Sequence, residues 1–216
     1  MPRPIAVLTG DVIQSRKIPD SRRLFDVLDT ILAQLAERYD GKGERYRGDG
    51  FQLAITQPER GLTAAIMLRA ALIQHSDDAQ RWDARVAIAI GRSQWSDQQP
   101  VSEANDDPFI RSGQTLDEMN AHLGLSLPAG QDNDCLVLLT RFADEMIDDW
   151  SPHSAETVLL TLQHNESQQA MAKRIGISQP GVHKRLRRAR WPLLSDYLAF
   201  MEQRLTLAPV TKDGEP

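Results

Sequence analysis

Cysteine and long apolar runs are scarce in this chain, glycine and proline have ordinary frequencies, and these counts exclude several classes of protein. Cys135 is the only cysteine, so an internal disulfide is excluded, a thiolate metal site is not expected, and we predict a buried apolar residue. With 13 glycines, 12 prolines and no periodic array among 216 residues, the chain is neither fibrous nor continuously disordered. The apolar run before Thr9 is too short for a signal sequence, and Arg69 interrupts the stretch 64–72. We therefore expect no membrane span and a cytoplasmic location.

The net charge of −5 is unevenly distributed. Residues 1–165 contain 16 basic and 25 acidic side chains, whereas residues 166–190 contain seven basic side chains against Glu166 alone, a local charge of +6. A short basic block beside an acidic body is typical of a segment that binds nucleic acid.

The first 91 residues alternate between strand and helix patterns. The predicted elements are a strand over 5–8, a helix from Ser21 to about Arg38, a hairpin that turns at Gly48–Gly50, a helix from Pro58 to about His75 and a strand from Ala84 to Ile90. This is the order of a split βαβ, ferredoxin-like sheet, in which two helices cover one face. We therefore predict an α+β fold with a first domain over residues 1–140.

The rest of the chain has mainly helical patterns. Residues 92–107 are predicted to be a loop, 108 to about 123 a helix, and Cys135–Leu139 one more strand. Helices are then predicted over 142–149, 155–162, 168–175, 179–190 and 192–205. These helices predict a second, all-α domain over residues 141–205, followed by a flexible tail, residues 206–216.

Residues 167–182 have the pattern of a helix-turn-helix. Ala172 is small where two helices would cross, Gly176 suits the positive φ of a tight turn, and Ser178 suits an N-cap. The segment resembles the helix-turn-helix of bacterial transcription regulators and of sigma-factor region 4. A merely solvated amphipathic helix is the alternative. The residues predicted to bind DNA are Ser178, Gln179, His183, Lys184, Arg187 and Arg188.

Two aspartates that are distant in the sequence are predicted to meet at one edge of the sheet. In a split βαβ sheet the first two strands are parallel, which places Asp11, after the first strand, beside Asp49 in the hairpin turn. Carboxylates on strands about 4.8 Å apart repel unless a cation bridges them, and Mg²⁺ prefers such oxygen ligands. Gly10, Gly48 and Gly50 would let a phosphate approach the backbone. An ordinary Asp-Gly hairpin turn is the alternative.

This constellation resembles the metal and triphosphate site of class III nucleotide cyclases and of the related diguanylate cyclase and polymerase palm domains. The resemblance covers residues 5–91. It implies that the carbonyl of Val12 adds a metal ligand and that the loop after the first strand, with Gln14, Ser15 and Arg16, lines the phosphates.

The later cyclase elements differ from that pattern. Where these cyclases have a transition-state Asn and an Arg four residues on, this chain has Arg111 and Thr115, and Gln14 stands where a glycine is usual. The resemblance therefore implies nucleotide binding, to which Arg111 would contribute by neutralising a phosphate, with little or no cyclase turnover.

Five segments along the whole chain resemble the SatD family of small bacterial proteins: TGDVIQSR, RGDGFQLA, RVAIAIG, PFIRSGQTLDEM and GISQPGVHKRL. That resemblance implies a two-part architecture but does not imply a particular activity.

The favoured hypothesis is a DNA-binding transcriptional regulator whose cyclase-like domain senses a nucleotide or Mg²⁺-phosphate. The alternatives are an active nucleotidyl cyclase or nucleotidyltransferase and a structural adaptor with a degenerate sheet domain. The last helix would pack on the helix-turn-helix or mediate a homodimer.

Overall fold

The structure, a computed structural model, describes residues 2–46, 48–128 and 133–207. Within these ranges it contains a five-stranded sheet and eight α-helices. The fold class is therefore α+β, as the sequence predicts.

The sheet has the order β2-β3-β1-β4-β5, with β1 (Arg3–Val12) in the centre. Both neighbours of β1, namely β3 (Gly50–Ile55) and β4 (Ala84–Ser93), are antiparallel to it, and β2 (Gly41–Tyr46) pairs antiparallel with β3. The strands β1 and β2 are thus parallel with β3 between them, which confirms the split βαβ order. A fifth strand, β5 (Leu123–Ser126), extends the sheet in parallel with β4.

Two helices cover one face of the sheet. The first, α1 (Ser21–Arg38), begins after Asp20, whose carboxylate accepts a hydrogen bond from the backbone N–H of Arg23, and buries one apolar stripe. The second, α2 (Gly61–Ile73), is buried along its whole length, because the sheet lies on one side and a later helix on the other. Its sequence is accordingly apolar all round, apart from Thr63 and Arg69.

The opposite face of the sheet is partly covered by α3 (Asp107–Glu118), which packs across β1 and β4. Phe109 of this helix packs in a second apolar cluster with Ile5. Because side chains alternate along a strand, Thr9 and Asp11 project from the same face as Ile5. This face is apolar near the start of β1 and polar near its end.

Five helices complete the chain: α4 (Asn133–Asp148), α5 (Pro152–Gln163), α6 (Gln168–Ile175), α7 (Gln179–Arg188) and α8 (Trp191–Leu207). Their buried side chains join those of the sheet, α1 and α2 in one apolar cluster.

The predicted domain boundary at residue 140 falls inside α4. The last helix includes the first two residues of the predicted tail, and residues 208–216 lie outside the described part. None of the helices in the described ranges has the length and apolar character that a membrane span requires.

Two local predictions are wrong. Cys135–Leu139, predicted to be a strand, is part of α4, and Cys135 is exposed rather than buried. The helix predicted over 108–123 ends at Glu118, and the fifth strand begins at Leu123. Short apolar runs are compatible with helix or strand, and the surface on which they pack decides between them.

Candidate functional site

The two aspartates singled out in the sequence lie at the same end of the sheet. Asp11 of β1 is paired in register with Gly50 of β3, and Asp49 is the residue before Gly50 in the hairpin turn. The Oγ atom of Ser15 donates a hydrogen bond of 2.5 Å to Oδ2 of Asp49. The loop after β1 is therefore tied to the hairpin. We call Asp11, Asp49 and the loop 13–17 the aspartate edge.

The carboxylate of Asp11 is held by Arg85, which lies directly opposite it on β4. Nε of Arg85 donates to Oδ1 at 3.0 Å and Nη2 donates to Oδ2 at 2.5 Å, so the pair is bidentate. The hydrogen bonds to Asp11 raise the pKa of Arg85, which remains charged. Both oxygens of Asp11 thus have a cationic partner from the neighbouring strand.

This geometry does not fit the predicted Mg²⁺ site. Both oxygens of Asp11 accept hydrogen bonds from Arg85, and one oxygen of Asp49 accepts one from Ser15, so a Mg²⁺ ion at this edge would compete with these donors for the carboxylates. Two unit charges of the same sign about 4 Å apart repel by about 4 kcal/mol at an effective dielectric constant of 20, and a divalent ion beside a guanidinium would meet twice that. Arg85 is thus a fixed positive charge on the carboxylate of Asp11, one of the two that would have to hold the metal.

Another group of side chains has metal-ligating types in reach of one another. Among the described residues, Asp83, His122 and Asp148 place one ligand atom each within 4.8 Å of the others. The carboxylate of Asp83, however, accepts hydrogen bonds from Arg69 and Arg81. This group is part of a buried ion-pair cluster.

The three glycines differ in their roles. A Cβ on Gly10 would lie 2.4 Å from the ring of Phe51, so Gly10 is required for packing in the buried face and does not open the backbone to a phosphate. Gly48 has a φ of 89° and an open surrounding, which suits a tight turn. Gly50 lies beside the ring of Tyr46. The predicted role in phosphate approach is therefore wrong for Gly10.

The predicted phosphate-binding residues are only partly brought together. Gln14 adopts a left-handed φ of 51° ahead of a short 3-10 turn, Ser15–Lys17, and Arg16 is exposed. The side chain of Val12 is buried in the core.

Arg111 does not belong to this group. Its guanidinium binds Asp107, Ser126 and the carbonyl of Ile90. Ile90 is five residues along β4 from Arg85, about 16 Å at 3.3 Å per residue. The predicted role of Arg111 beside the aspartates is wrong, because the start of α3, which carries Arg111, packs near Ile90, whereas Leu116 near the end of α3 is the residue that contacts Arg85.

Sequence reasoning missed a row of hydrogen-bonded polar side chains on the same face as Asp11. Nε2 of Gln52 donates to Oγ1 of Thr9 at 2.9 Å, and Thr9 and Ser112 form a buried hydroxyl pair at 2.7 Å. It also missed Arg85. The antiparallel pairing of β1 with β4 would have revealed that residue, since the alternation of β4 places one cation on the face of Asp11.

The helices α6 and α7, which we call the helix pair, have the predicted turn. Gly176 ends α6 with a φ of 71°, and Oγ of Ser178 accepts a hydrogen bond of 3.2 Å from the backbone N–H of Gly181. Val182 and Leu186 face the core. Every residue that was predicted to bind DNA is exposed: Ser178, Gln179, His183, Lys184, Arg187 and Arg188.

The seven cations of the basic block fall into two groups. Three are held in the fold, because Arg174 pairs with Glu166, Arg185 with Glu156 and Arg190 with Asp149. The other four are exposed and form no ion pair with any residue in the described ranges: Lys173, Lys184, Arg187 and Arg188. The unpaired cations are on the helix pair itself.

A buried ion-pair cluster, also missed in the sequence, connects the sheet to the later helices. Arg69 of α2 has no exposed surface and binds Asp83, Asp144 and Asp148. Arg81 donates to the carbonyl of Ile147 in the last turn of α4 and to that of Trp150, two residues after the helix. In the sequence Arg69 only interrupts an apolar stretch.

No family model and no curated protein matches the chain. Solved structures with a similar fold are nucleotide cyclase domains. An adenylate/guanylate cyclase/hydrolase from Silicibacter pomeroyi has 15% identity, with 58% of this chain and 76% of that chain covered, at a TM-score of 0.46. The active GGEEF domain of a diguanylate cyclase from Vibrio cholerae has 14% identity, with 60% and 85% covered, at a TM-score of 0.43. At such scores these similarities assign no activity, ligand or metal to the chain.

Proposed function

We propose that this chain is a DNA-binding transcriptional regulator and that the helix pair is its DNA-binding surface. The observation that carries the proposal is the set of four exposed, unpaired cations on the helix pair beside the exposed Gln179 and His183. Phosphate contacts from such cations supply most of the affinity of DNA-binding proteins, because they release counterions.

Each side chain of the surface has a role in this proposal. In helix-turn-helix proteins the N-terminal residues of the second helix contact base edges in the major groove. Gln179, whose amide can pair with adenine, and His183 are therefore the residues that read bases. Lys184, Arg187 and Arg188 contact phosphates or guanine.

The proposal includes a sensing role for the sheet. The cyclase-like pattern of Asp11, Asp49 and the loop after β1 supports a nucleotide or phosphate ligand at the aspartate edge. An active cyclase is not favoured, since the carboxylates that would hold its metal are engaged by Arg85 and Ser15. Membership of the SatD family and a cytoplasmic location are expectations from the sequence that we keep within this proposal.

The last helix, α8, has one face packed within the chain and apolar side chains that remain exposed. α8 packs on α7 and α4, which is the first of the two roles expected from the sequence. Leu193 and Phe200 of this helix remain 60% and 37% exposed. A homodimer through these side chains is part of the proposal.

The test is a selection of bound genomic fragments, followed by fluorescence anisotropy with the enriched sequence. Arg187→Ala/Arg188→Ala should lose at least about tenfold in affinity, because each phosphate contact contributes to binding. Arg174→Ala/Arg190→Ala removes the same charge from ion pairs within the fold and should lose much less. No enriched sequence, or equal affinities for the two double variants, would contradict the proposal.

A further inference from the structure

We propose that Arg85 is a built-in cation at the aspartate edge, and that it closes this edge to divalent metal ions. Asp11 and Asp49 then serve to hold Arg85 and the loop after β1, and do not act as metal ligands. This inference stands apart from DNA binding and from any nucleotide ligand.

The first support is that the pairing of Arg85 with Asp11 is set by the sheet. The two residues are partners in the β1–β4 register, and directly opposed residues on one face of an antiparallel pair are the closest cross-strand neighbours. Each strand is fixed by ten residues of pairing between β1 and β4. Arg85 therefore meets Asp11 without the rearrangement of a loop.

The second support is the state of the oxygens that a metal would need. Both oxygens of Asp11 are used by Arg85, at 3.0 and 2.5 Å, and Oδ2 of Asp49 is used by Ser15 at 2.5 Å. Among the residues that the structure describes, the one group of three ligating side chains within reach of one another lies elsewhere, at Asp83, His122 and Asp148. Of the four carboxylate oxygens at the aspartate edge, three accept a hydrogen bond, and no third His, Cys, Asp or Glu side chain among the described residues completes a ligand group there.

The third support is that Arg85 has unused donors. A guanidinium has five N–H groups, of which Asp11 accepts two, and Nη1 makes one long contact of 3.5 Å with the carbonyl of Leu116. The side chain of Arg85 is 36% exposed. If the sensing part of the proposed function holds, an anionic ligand would meet these donors directly and would bind in its metal-free form.

The test follows Mn²⁺ binding by electron paramagnetic resonance in the full-length protein. We expect the wild type to lack a site that depends on Asp11. Arg85→Gln, which removes the charge and keeps a polar side chain, should gain one site at least about tenfold tighter, because the repulsion between the guanidinium and the ion is gone. Arg85→Lys keeps the charge and should gain no site.

The gain must disappear in Arg85→Gln/Asp11→Asn, which shows that the new site is the aspartate edge. A wild-type Mn²⁺ site that Asp11→Asn abolishes would overturn the inference, as would Arg85→Gln binding no better than the wild type. If Arg85→Gln does not fold by circular dichroism, the wild type and Asp11→Asn decide alone. Calorimetric titrations with ATP and with GTP, in EDTA and in Mg²⁺, distinguish this inference from the proposed sensing role. If no heat of nucleotide binding is observed while the Mn²⁺ results are as expected, only the sensing role is rejected.

Discussion

The indole Nε1 of Trp150 donates a hydrogen bond of 3.1 Å to the carbonyl oxygen of Ala189, which is the C-cap residue directly after α7. Trp150 is 2% exposed, and its own carbonyl accepts a hydrogen bond from Arg81. One buried side chain therefore connects the segment after α4 to the end of the helix that carries the proposed DNA contacts.

Trp150→Phe should lower the free energy of unfolding by about 1–3 kcal/mol. The substitution keeps most of the apolar volume and leaves the buried carbonyl of Ala189 without its donor. Urea unfolding followed by circular dichroism measures the change. Trp191→Phe is the matched control, since Trp191 is only partly buried and the structure gives its indole no hydrogen bond in the described ranges. Equal losses for the two variants would contradict this role of the hydrogen bond.

Arg69→Met should destabilise the protein by at least about 3 kcal/mol, because removing one partner of a buried ion pair leaves charge uncompensated. Arg69 holds three carboxylates from two parts of the chain. Arg92→Met, at an exposed position of β4 whose guanidinium makes one hydrogen bond among the described residues, to the carbonyl of Pro2, should change stability by less than about 0.5 kcal/mol. Unfolding by urea at pH 7 provides the comparison, and similar midpoints for both variants would rule out a structural role for the cluster.

His122 should titrate above its ordinary pKa of about 6.5. The hydrogen bond from its ring to Asp148 raises the pKa of His122, more than burial lowers it. A raised pKa in the folded state adds stability that is fully present below pH 6.5 and is lost as the pH rises through the folded pKa. NMR titration of the ring should show the shift in the wild type and its loss in Asp148→Asn. A His122 pKa that is the same in both proteins would contradict the assignment.

The pKa of Asp148 shifts in the opposite direction, below its ordinary value. Burial raises the pKa of Asp148, but the hydrogen bonds from His122 and Arg69 outweigh it and lower the pKa to about 2. Its stabilising contribution is therefore present above about pH 3.9 and is lost as the pH falls toward 2. Because the side chain is 38% exposed, solvent screening reduces that contribution. Asp148→Asn should flatten the acid limb of the stability curve below pH 4, and an unchanged limb would be the contrary result.

The sequence predicts the strand order and the place of Asp11 and Asp49, because both follow from alternation and from the handedness of crossovers. It does not reveal Arg85, whose importance depends on the register between β1 and β4. Arg111 was misplaced because the crossing point of α3 on the sheet is a tertiary property. Cys135 was misassigned because its short apolar run is compatible with helix or strand. The cap at Ser178 and the turn at Gly176 were predictable, since both are local.

Gly176→Ala should destabilise the protein by about 1 kcal/mol, whereas Gly113→Ala should stabilise it by up to about 1 kcal/mol. A Cβ at either glycine would meet no atom within 4 Å, so neither change introduces a clash. Gly176 has a φ of 71°, and Gly113 lies inside α3. The two variants therefore differ in backbone conformation alone. Thermal unfolding of both checks the turn, and a stabilising Gly176→Ala would be inconsistent with it.

The salt dependence of DNA binding should report the unpaired cations one by one. The logarithm of the affinity falls by about 0.9 per logarithmic unit of salt for each phosphate neutralised on duplex DNA. If Lys173, Lys184, Arg187 and Arg188 each contact a phosphate, the slope should be about −3.6, and Lys184→Ala should make it shallower by about 0.9. Gln179→Ala should leave the slope unchanged and instead relax sequence preference by about 1–3 kcal/mol, because it removes a base contact.

Arg174→Ala is the control for the slope, since the charge of Arg174 is already paired with Glu166. Binding measured by anisotropy from 50 to 200 mM salt gives the slopes. If Lys184→Ala left the slope unchanged, the unpaired cations would not be the phosphate contacts. The same conclusion would follow if Arg174→Ala made the slope shallower by as much as Lys184→Ala.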